Sequence, residues 1–269
     1  MGMDAPIDSL TRGGAAIAYR RTPGRGPGVL FLGGFRSDMT GGKAVALEGW
    51  ARQAGHAFVR FDYQGHGASS GAWEDCTIGL WLDDALAVLD ACTDGPQLLV
   101  GSSMGGWIAT RVALARPDRV AGLVCVAPAP DFTERLIWDR LSPDQRRDLL
   151  DMGSFLQPSA YDPAGYRITR RLVEEGRAHL LLGRPIAVGC PVRLLHGQRD
   201  VDVPWTLSLD LARDLESADV RVTLVKDGDH RLSRPQDIAL LLRTVSDLAA
   251  DLAANLAASL AASLAEGAA

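Results

Sequence analysis

The pentapeptide Gly101-Ser102-Ser103-Met104-Gly105 follows the apolar run Gln97-Leu98-Leu99-Val100 directly and opens a helix-like stretch, 104–115. G-x-S-x-G between a strand and a helix holds a serine on a sharp, strained turn with its hydroxyl exposed. The glycines have a steric reason, because a Cβ at Gly101 or Gly105 would collide where helix and strand pack closely. The spacing selects Ser103 as the exposed residue, with Ser102 pointing elsewhere.

Outward from this turn, short runs rich in Val and Leu alternate with longer helix-like stretches. Strand candidates lie at 15–20, 29–32, 57–62, 97–100, 122–127, 192–196 and 220–225, and several are apolar throughout. Such runs suit a parallel sheet covered on both faces. Crossover helices are expected at 43–53, 80–91, 104–115 and 205–216. The pattern is that of an α/β fold with a mostly parallel, doubly wound sheet. The first strand, ending near Arg20, is expected at an antiparallel edge.

One segment breaks the alternation. Residues 131–185, after the strand at 122–127, show helical stretches at 143–152 and 168–182 and no strand signal. They carry Phe132, Trp138, Phe155, Tyr161 and Tyr166. A connection this long is functional or forms a small subdomain, so a helical cap over the sheet's C-terminal edge is expected. Trp138, Phe155 and Tyr166 are its candidate substrate-pocket residues. The rest of residues 1–269 reads as one domain, closed by an Ala/Leu-rich helix at about 234–265. There Leu248, Leu252, Leu256, Leu260 and Leu264 recur every fourth residue. That spacing overshoots the turn of 3.6 residues, so the stripe winds around the helix. Packing on the parent domain, a self-association surface and a protruding, partly frayed helix are its readings.

A serine hydroxyl is a weak nucleophile until a base takes its proton, and the base needs an acid to hold its tautomer. After Ser103 the histidines are His179, His196 and His230. His230 sits in a loop after the strand candidate at 220–225, where it can reach the sheet edge, and is the candidate base. His196 ends a strand beside Gly197 and reads as a structural turn residue. His179 reads as an exposed helical position, with substrate contact as the alternative. Asp200 lies just past a strand end and is the candidate acid, with Asp202 competing. The oxyanion left by serine attack needs preorganised donors. The N–H of Met104 and the N–H of Phe35, in the loop Gly33-Gly34-Phe35-Arg36, are the candidates. Asp62-Tyr63-Gln64-Gly65-His66-Gly67-Ala68-Ser69 reads as a structural loop, which makes His66 structural.

The chain has 269 residues, 28 of them Lys or Arg and 33 Asp or Glu, for a formal net charge of −5. With no basic run it lacks the footprint of a nucleic-acid binder. Cys76, Cys92, Cys125 and Cys190 are scattered, without metal-ligand spacing, and read as buried core thiols. Walker A and dinucleotide fingerprints are missing, so neither metal nor cofactor is expected. No run of 18 apolar residues suggests a membrane span. Residues 1–12 carry neither a secretory nor a transit pattern, so a cytoplasmic location is expected.

Gly101–Gly105, Asp200 within H-G-x-x-D, and His230 before Arg231 together resemble the α/β-hydrolase superfamily. Phe31-Leu32-Gly33-Gly34-Phe35, Met39-Thr40-Gly41-Gly42-Lys43-Ala44, Arg60-Phe61-Asp62-Tyr63 and Cys190-Pro191-Val192-Arg193-Leu194-Leu195-His196-Gly197 narrow this. They resemble the mitochondrial acyl-glucuronide esterase and palmitoyl-protein thioesterase family from about residue 26 to about residue 248. The resemblance implies an α/β-hydrolase fold with Ser103 as nucleophile, Asp200 as acid and His230 as base. The expected function is cleavage of esters or thioesters of apolar acyl groups through an acyl-enzyme, on a small-molecule or acyl-protein substrate. A C–C bond hydrolase with the same triad and a non-catalytic ligand-binding module are the alternatives. Oligomeric state is left open.

Overall fold

The computed structural model describes residues 6–159 and 163–266, with side chains through 255. Its strands are β1 (Asp8–Arg12), β2 (Ala15–Thr22), β3 (Arg25–Leu32), β4 (His56–Phe61), β5 (Gln97–Ser102), β6 (Val120–Val126), β7 (Ser154–Gln157), β8 (Tyr166–Thr169), β9 (Val192–Gly197) and β10 (Val220–Val225). Eight form one sheet in the order β1-β2-β4-β3-β5-β6-β9-β10. From β4 to β10 neighbouring strands run parallel, whereas β2 is antiparallel to β4 and β1 to β2. The apolar runs of β5 and β9 are buried along their whole length, as a sheet covered on both faces demands.

The edge differs from the expectation in one respect. β2 is antiparallel as expected, but it lies inside the sheet, and β1 forms the edge. The sequence of β1, Asp-Ser-Leu-Thr-Arg, is polar and mostly exposed. An edge strand with little to bury has no apolar signature to read.

The helices are α1 (Gly42–Ala54), α2 (Ile78–Cys92), α3 (Met104–Ala115), α4 (Pro143–Met152), α5 (Arg170–Gly176), α6 (Thr206–Asp214) and α7 (Pro235–Glu266). Ala44, Leu47 and Ala51 of α1 and Leu241, Val245 and Leu248 of α7 cover one face of the sheet. On the other face lie Trp81 and Val88 of α2, Trp107 and Val112 of α3, and Leu207 and Leu211 of α6. Trp81 and Trp107 are fully buried, and truncating such a side chain to alanine costs ~3–5 kcal/mol. Of the Leu stripe, Leu248 is buried and Leu252 packs beside it. The side chains of Leu256, Leu260 and Leu264 lie outside the described residues.

Between β6 and β9 the chain leaves the sheet. Asp131, buried and with φ +58°, accepts hydrogen bonds from the Leu181 and Leu182 N–H groups at 2.7 and 2.9 Å. This carboxylate ties the two ends of the insert together. The insert holds α4 and α5, but it is not helical throughout: β7 and β8 form an antiparallel pair within it. Phe155 pairs with Ile168 in that hairpin, and both side chains are buried. Strands of four residues are too short for their alternation to stand out in sequence. Tyr161 lies outside the described residues. Ile137, Leu149, Phe155, Leu172 and Val173 join the same apolar cluster as α2 and α3, so the insert packs directly onto the sheet layer.

The chain runs from β3 outward to β4, then returns past β3 to β5. The loops after β3 and β5 therefore diverge, leaving a crevice at the C-terminal ends of these strands, where open α/β sheets bind ligands. Phe35 follows β3 and Ser103 follows β5.

Candidate active site

Ser103 is the residue between β5 and α3, with φ +55° and ψ −118°. A non-glycine residue rarely adopts this conformation, and here tight packing enforces it. A Cβ on Gly101 would overlap the Gly105 carbonyl, and one on Gly105 would overlap the carbonyl oxygens of Leu32 and Gly33. The Ser103 N–H donates to the Val126 carbonyl at 2.9 Å, and the Ala129 N–H donates to the Ser103 carbonyl at 3.1 Å. The turn is thus pinned to the strand beside it. Ser102 is buried, and Ser103 is partly open to the crevice.

The structure brings Ser103, His230 and Asp200 together although they lie far apart in the chain. Ser103 Oγ is 3.1 Å from His230 Nε2, and His230 Nδ1 is 2.7 Å from Asp200 Oδ2. The carboxylate can only accept, so Nδ1 carries the proton and Nε2 faces the hydroxyl as an acceptor. Gly197 makes this meeting possible. A Cβ there would overlap the Gly228 backbone, so only glycine lets the loops after β9 and β10 touch. Asp202, the competing acid, instead gives its backbone N–H to Asp200 Oδ1 at 2.9 Å, as does Val203 at 2.8 Å.

Asp200 has a further partner that the sequence reading missed. His196 is not a plain turn residue. It is fully buried, with Nε2 3.0 Å from Asp200 Oδ2 and Nδ1 2.7 Å from Ser208 Oγ. Burial works against the charge on Asp200, but hydrogen bonds from His196 and His230 outweigh it and hold the carboxyl well below the usual range. The signal was the i, i+4 spacing of His196 and Asp200, which a tight turn after a strand brings face to face. His179 is not an exposed helical position either. Its Nε2 lies 2.7 Å from Glu175, whose carboxylate accepts the Gly79 N–H at the start of α2.

The loop after β3 lies against the nucleophile, since a Cβ on Gly34 would meet the Ser102 carbonyl and the Ser103 Cβ. The Phe35 ring packs edge-on against Trp73, Trp81, Phe132 and Tyr166, with centroids 5.0 to 5.9 Å away. The next residue, Arg36, donates its N–H to His66 Nε2 at 3.1 Å, and His66 Nδ1 lies 3.1 Å from the Gln64 carbonyl. Buried His66 therefore steadies the loop in its neutral form, and burial lowers its pKa to about 4. The loop that holds His66 is itself knotted by Asp62, which accepts the Met39 and Ala68 N–H groups at 2.6 and 2.8 Å.

Ser103, Met104, Phe35 and His230 line a cavity of about 920 Å³. Phe132, Leu136, Ile137, Tyr166 and Ile168 are among its apolar lining residues, and Ser37, Asp38, Lys43, Arg140, Gln157 and Ser233 among its polar ones. Of the three expected pocket aromatics, Tyr166 is among the lining residues, whereas Trp138 and Phe155 are not. Phe155 faces the interior with Ile168 across the hairpin, and Trp138 lies between the guanidinium groups of Arg146 and Arg177, 4.6 and 4.7 Å from its ring. Among the described residues, Asp200, Asp202 and His230 bring possible ligand atoms within 4.8 Å of one another. Both oxygens of Asp200 already accept hydrogen bonds within the protein, which fits proton handling.

Known hydrolases resemble this chain in sequence and in fold. The family model described as serine aminopeptidase, S33, matches residues 35–159. The chain is 45% identical over 233 residues to the mouse palmitoyl-protein thioesterase ABHD10, mitochondrial, covering 86% of this chain and 78% of the relative. The solved structure of alpha/beta hydrolase domain-containing protein 10 from mouse superposes with a TM-score of 0.86 at 43% identity, over 92% of this chain and all of that one. A putative hydrolase from Agrobacterium vitis S4 gives a TM-score of 0.87 at 42% identity, over 93% of this chain and all of that one. The expected cytoplasmic location is corrected by the mouse relative, which is named mitochondrial. Composition and surface charge carry no compartment label, so that expectation rested only on the absence of a leader pattern.

Proposed function

We propose, for a chain that belongs to the α/β-hydrolase superfamily and within it to the family of the palmitoyl-protein thioesterase ABHD10, that it cleaves esters or thioesters of long apolar acyl groups through an acyl-enzyme on Ser103. The chain is an ester or thioester hydrolase, as its family is, and the ligand-binding-module alternative falls away. The observation that carries the finer reading is the hydrogen-bonded line from Ser103 through His230 to Asp200, which opens on a cavity lined in part by apolar side chains.

In this mechanism Ser103 Oγ attacks the acyl carbonyl carbon while His230 Nε2 takes the hydroxyl proton. Asp200 keeps the proton on His230 Nδ1 and stabilises the imidazolium. The carbonyl oxygen becomes an oxyanion and takes hydrogen bonds from the Met104 and Phe35 N–H groups, where one donor is worth ~10²–10³ in rate. Collapse expels the alcohol or thiol, which receives the proton held on Nε2. Water then attacks the acyl-enzyme with His230 again as base, and the released acid restores Ser103.

In this reading the acyl chain lies along Phe132, Leu136, Ile137 and Ile168, and the leaving group lies toward Ser37, Asp38, Lys43 and Ser233. Each methylene buried contributes about 0.8 kcal/mol, so two are worth about tenfold in kcat/KM when the transition state feels them fully. The test is a series of p-nitrophenyl esters and acyl thioesters of graded length. Activity should rise from two-carbon to medium chains, and Leu136→Ala should flatten the rise. A profile that falls steadily from acetate would overturn the long-chain reading.

A further inference from the structure

His196 belongs to no step of that mechanism, yet it is fully buried and fully hydrogen-bonded. Its Nε2 lies 3.0 Å from Asp200 Oδ2 and 3.1 Å from the Val203 carbonyl, two acceptors, so Nε2 carries the proton. Nδ1 is then an acceptor and takes the Ser208 hydroxyl at 2.7 Å. Asp200 Oδ2 also receives His230 Nδ1–H, so a single carboxylate oxygen serves two imidazoles.

We propose that His196, locked in its Nε2–H form by Ser208 of α6, is a positioning residue that shares Asp200 Oδ2 with His230 and thereby tunes how strongly the base holds its proton. The inference rests on the Ser103–His230–Asp200 reading above. A carboxylate that also satisfies a neutral donor offers less to the imidazolium of His230 than one that serves it alone. A second donor on that oxygen thus weakens the pull of Asp200 on the charged base. His196 also anchors that same oxygen while the Asp202 and Val203 N–H groups hold Oδ1, so Asp200 cannot swing away when His230 becomes charged. Among the described residues, the hydrogen-bond partners of the His196 ring are Ser208, Asp200 and the Val203 carbonyl. Charged and titratable groups near the line include Asp202 beside Asp200, Arg36, Asp38 and His66 in the same cavity, and the cluster of Asp229, Arg231, Asp237 and Lys43, where Lys43 Nζ donates to the Arg231 carbonyl at 2.6 Å.

The decisive experiment is the pH dependence of kcat/KM on one p-nitrophenyl ester. His196→Leu, which removes the donor, should move the acidic midpoint up by about half a pH unit, so that activity at pH 6 falls about threefold further than at pH 8. His196→Gln, which can still donate to Asp200, should keep the midpoint of the unaltered protein. A lower rate with an unmoved midpoint in His196→Leu would reduce His196 to packing and overturn the proposal. Should that variant fail to fold, nitrogen-detected NMR of the histidine tautomers in the unaltered protein decides the matter. The proposal requires His196 as the Nε2–H tautomer at neutral pH, and an Nδ1–H tautomer refutes it. Failure of the underlying triad reading is distinguishable, because it would leave His230→Ala active.

Discussion

His66 gives the pH dependence of stability a sign and a size. Its side chain is 5% exposed, between a loop carbonyl and the Arg36 N–H, and it accepts the latter only when neutral. Burial lowers its pKa from 6.5 to about 4, against the opposing hydrogen bond to the Gln64 carbonyl. The unfolded chain therefore takes up this proton near pH 6.5, whereas the folded protein resists it until about pH 4. The contribution to stability is complete above pH 6.5 and is lost as the pH falls toward 4. At 1.36 kcal/mol per pH unit the whole window is worth about 3 kcal/mol, of which about 2 kcal/mol falls between pH 7 and pH 5. His66→Gln keeps an acceptor for Arg36 and a donor for Gln64 but cannot titrate. Urea unfolding of both proteins at pH 7, 6 and 5 isolates the effect, since the buried carboxylates common to the two cancel in the difference. The variant will be less stable at pH 7, where three aromatic neighbours lose the ring, and its disadvantage should shrink by about 2 kcal/mol at pH 5. A disadvantage that stays constant with pH would refute the reasoning.

Asp200→Asn should lower kcat by ~10⁴, the usual cost of losing control of the base's tautomer, whereas Asp202→Asn should cost far less. The reverse ranking in steady-state kinetics would transfer the role of acid to Asp202. Gly105→Ala places a methyl group on the Leu32 and Gly33 carbonyl oxygens, so its urea midpoint and its esterase activity should fall together; a stable and fully active variant would show that the turn tolerates the bulk.

How far the sequence could be read depended on whether an interaction is local. The Ser103 turn was legible because its constraint is confined to five residues, and the structure traces each glycine to an overlap with a named carbonyl. Asp200 and His230 were reachable because both follow strands legible from their Val and Leu residues, and parallel strands deliver their loops to one edge. β1 was illegible because a polar edge strand buries too little to leave a pattern. The β7–β8 hairpin was missed because four residues alternate too briefly, and for the same reason Phe155 was assigned to the cavity although it faces the core. His196 was misread because its role depends on Ser208 twelve residues on, a meeting created only when α6 packs back against β9. The loop-steadying role of His66 depended on a partner thirty residues away, Arg36, across a crevice that no local window contains.

Labelling by a fluorophosphonate probe tests the central claim most directly, because the probe reacts only with a serine whose proton a neighbouring base can take. The unaltered protein should be labelled and should hydrolyse a medium-chain acyl thioester, Ser103→Ala should do neither, and Ser102→Ala should retain both. Labelling that persists in Ser103→Ala, or thioester hydrolysis that survives the loss of this hydroxyl, would contradict the account.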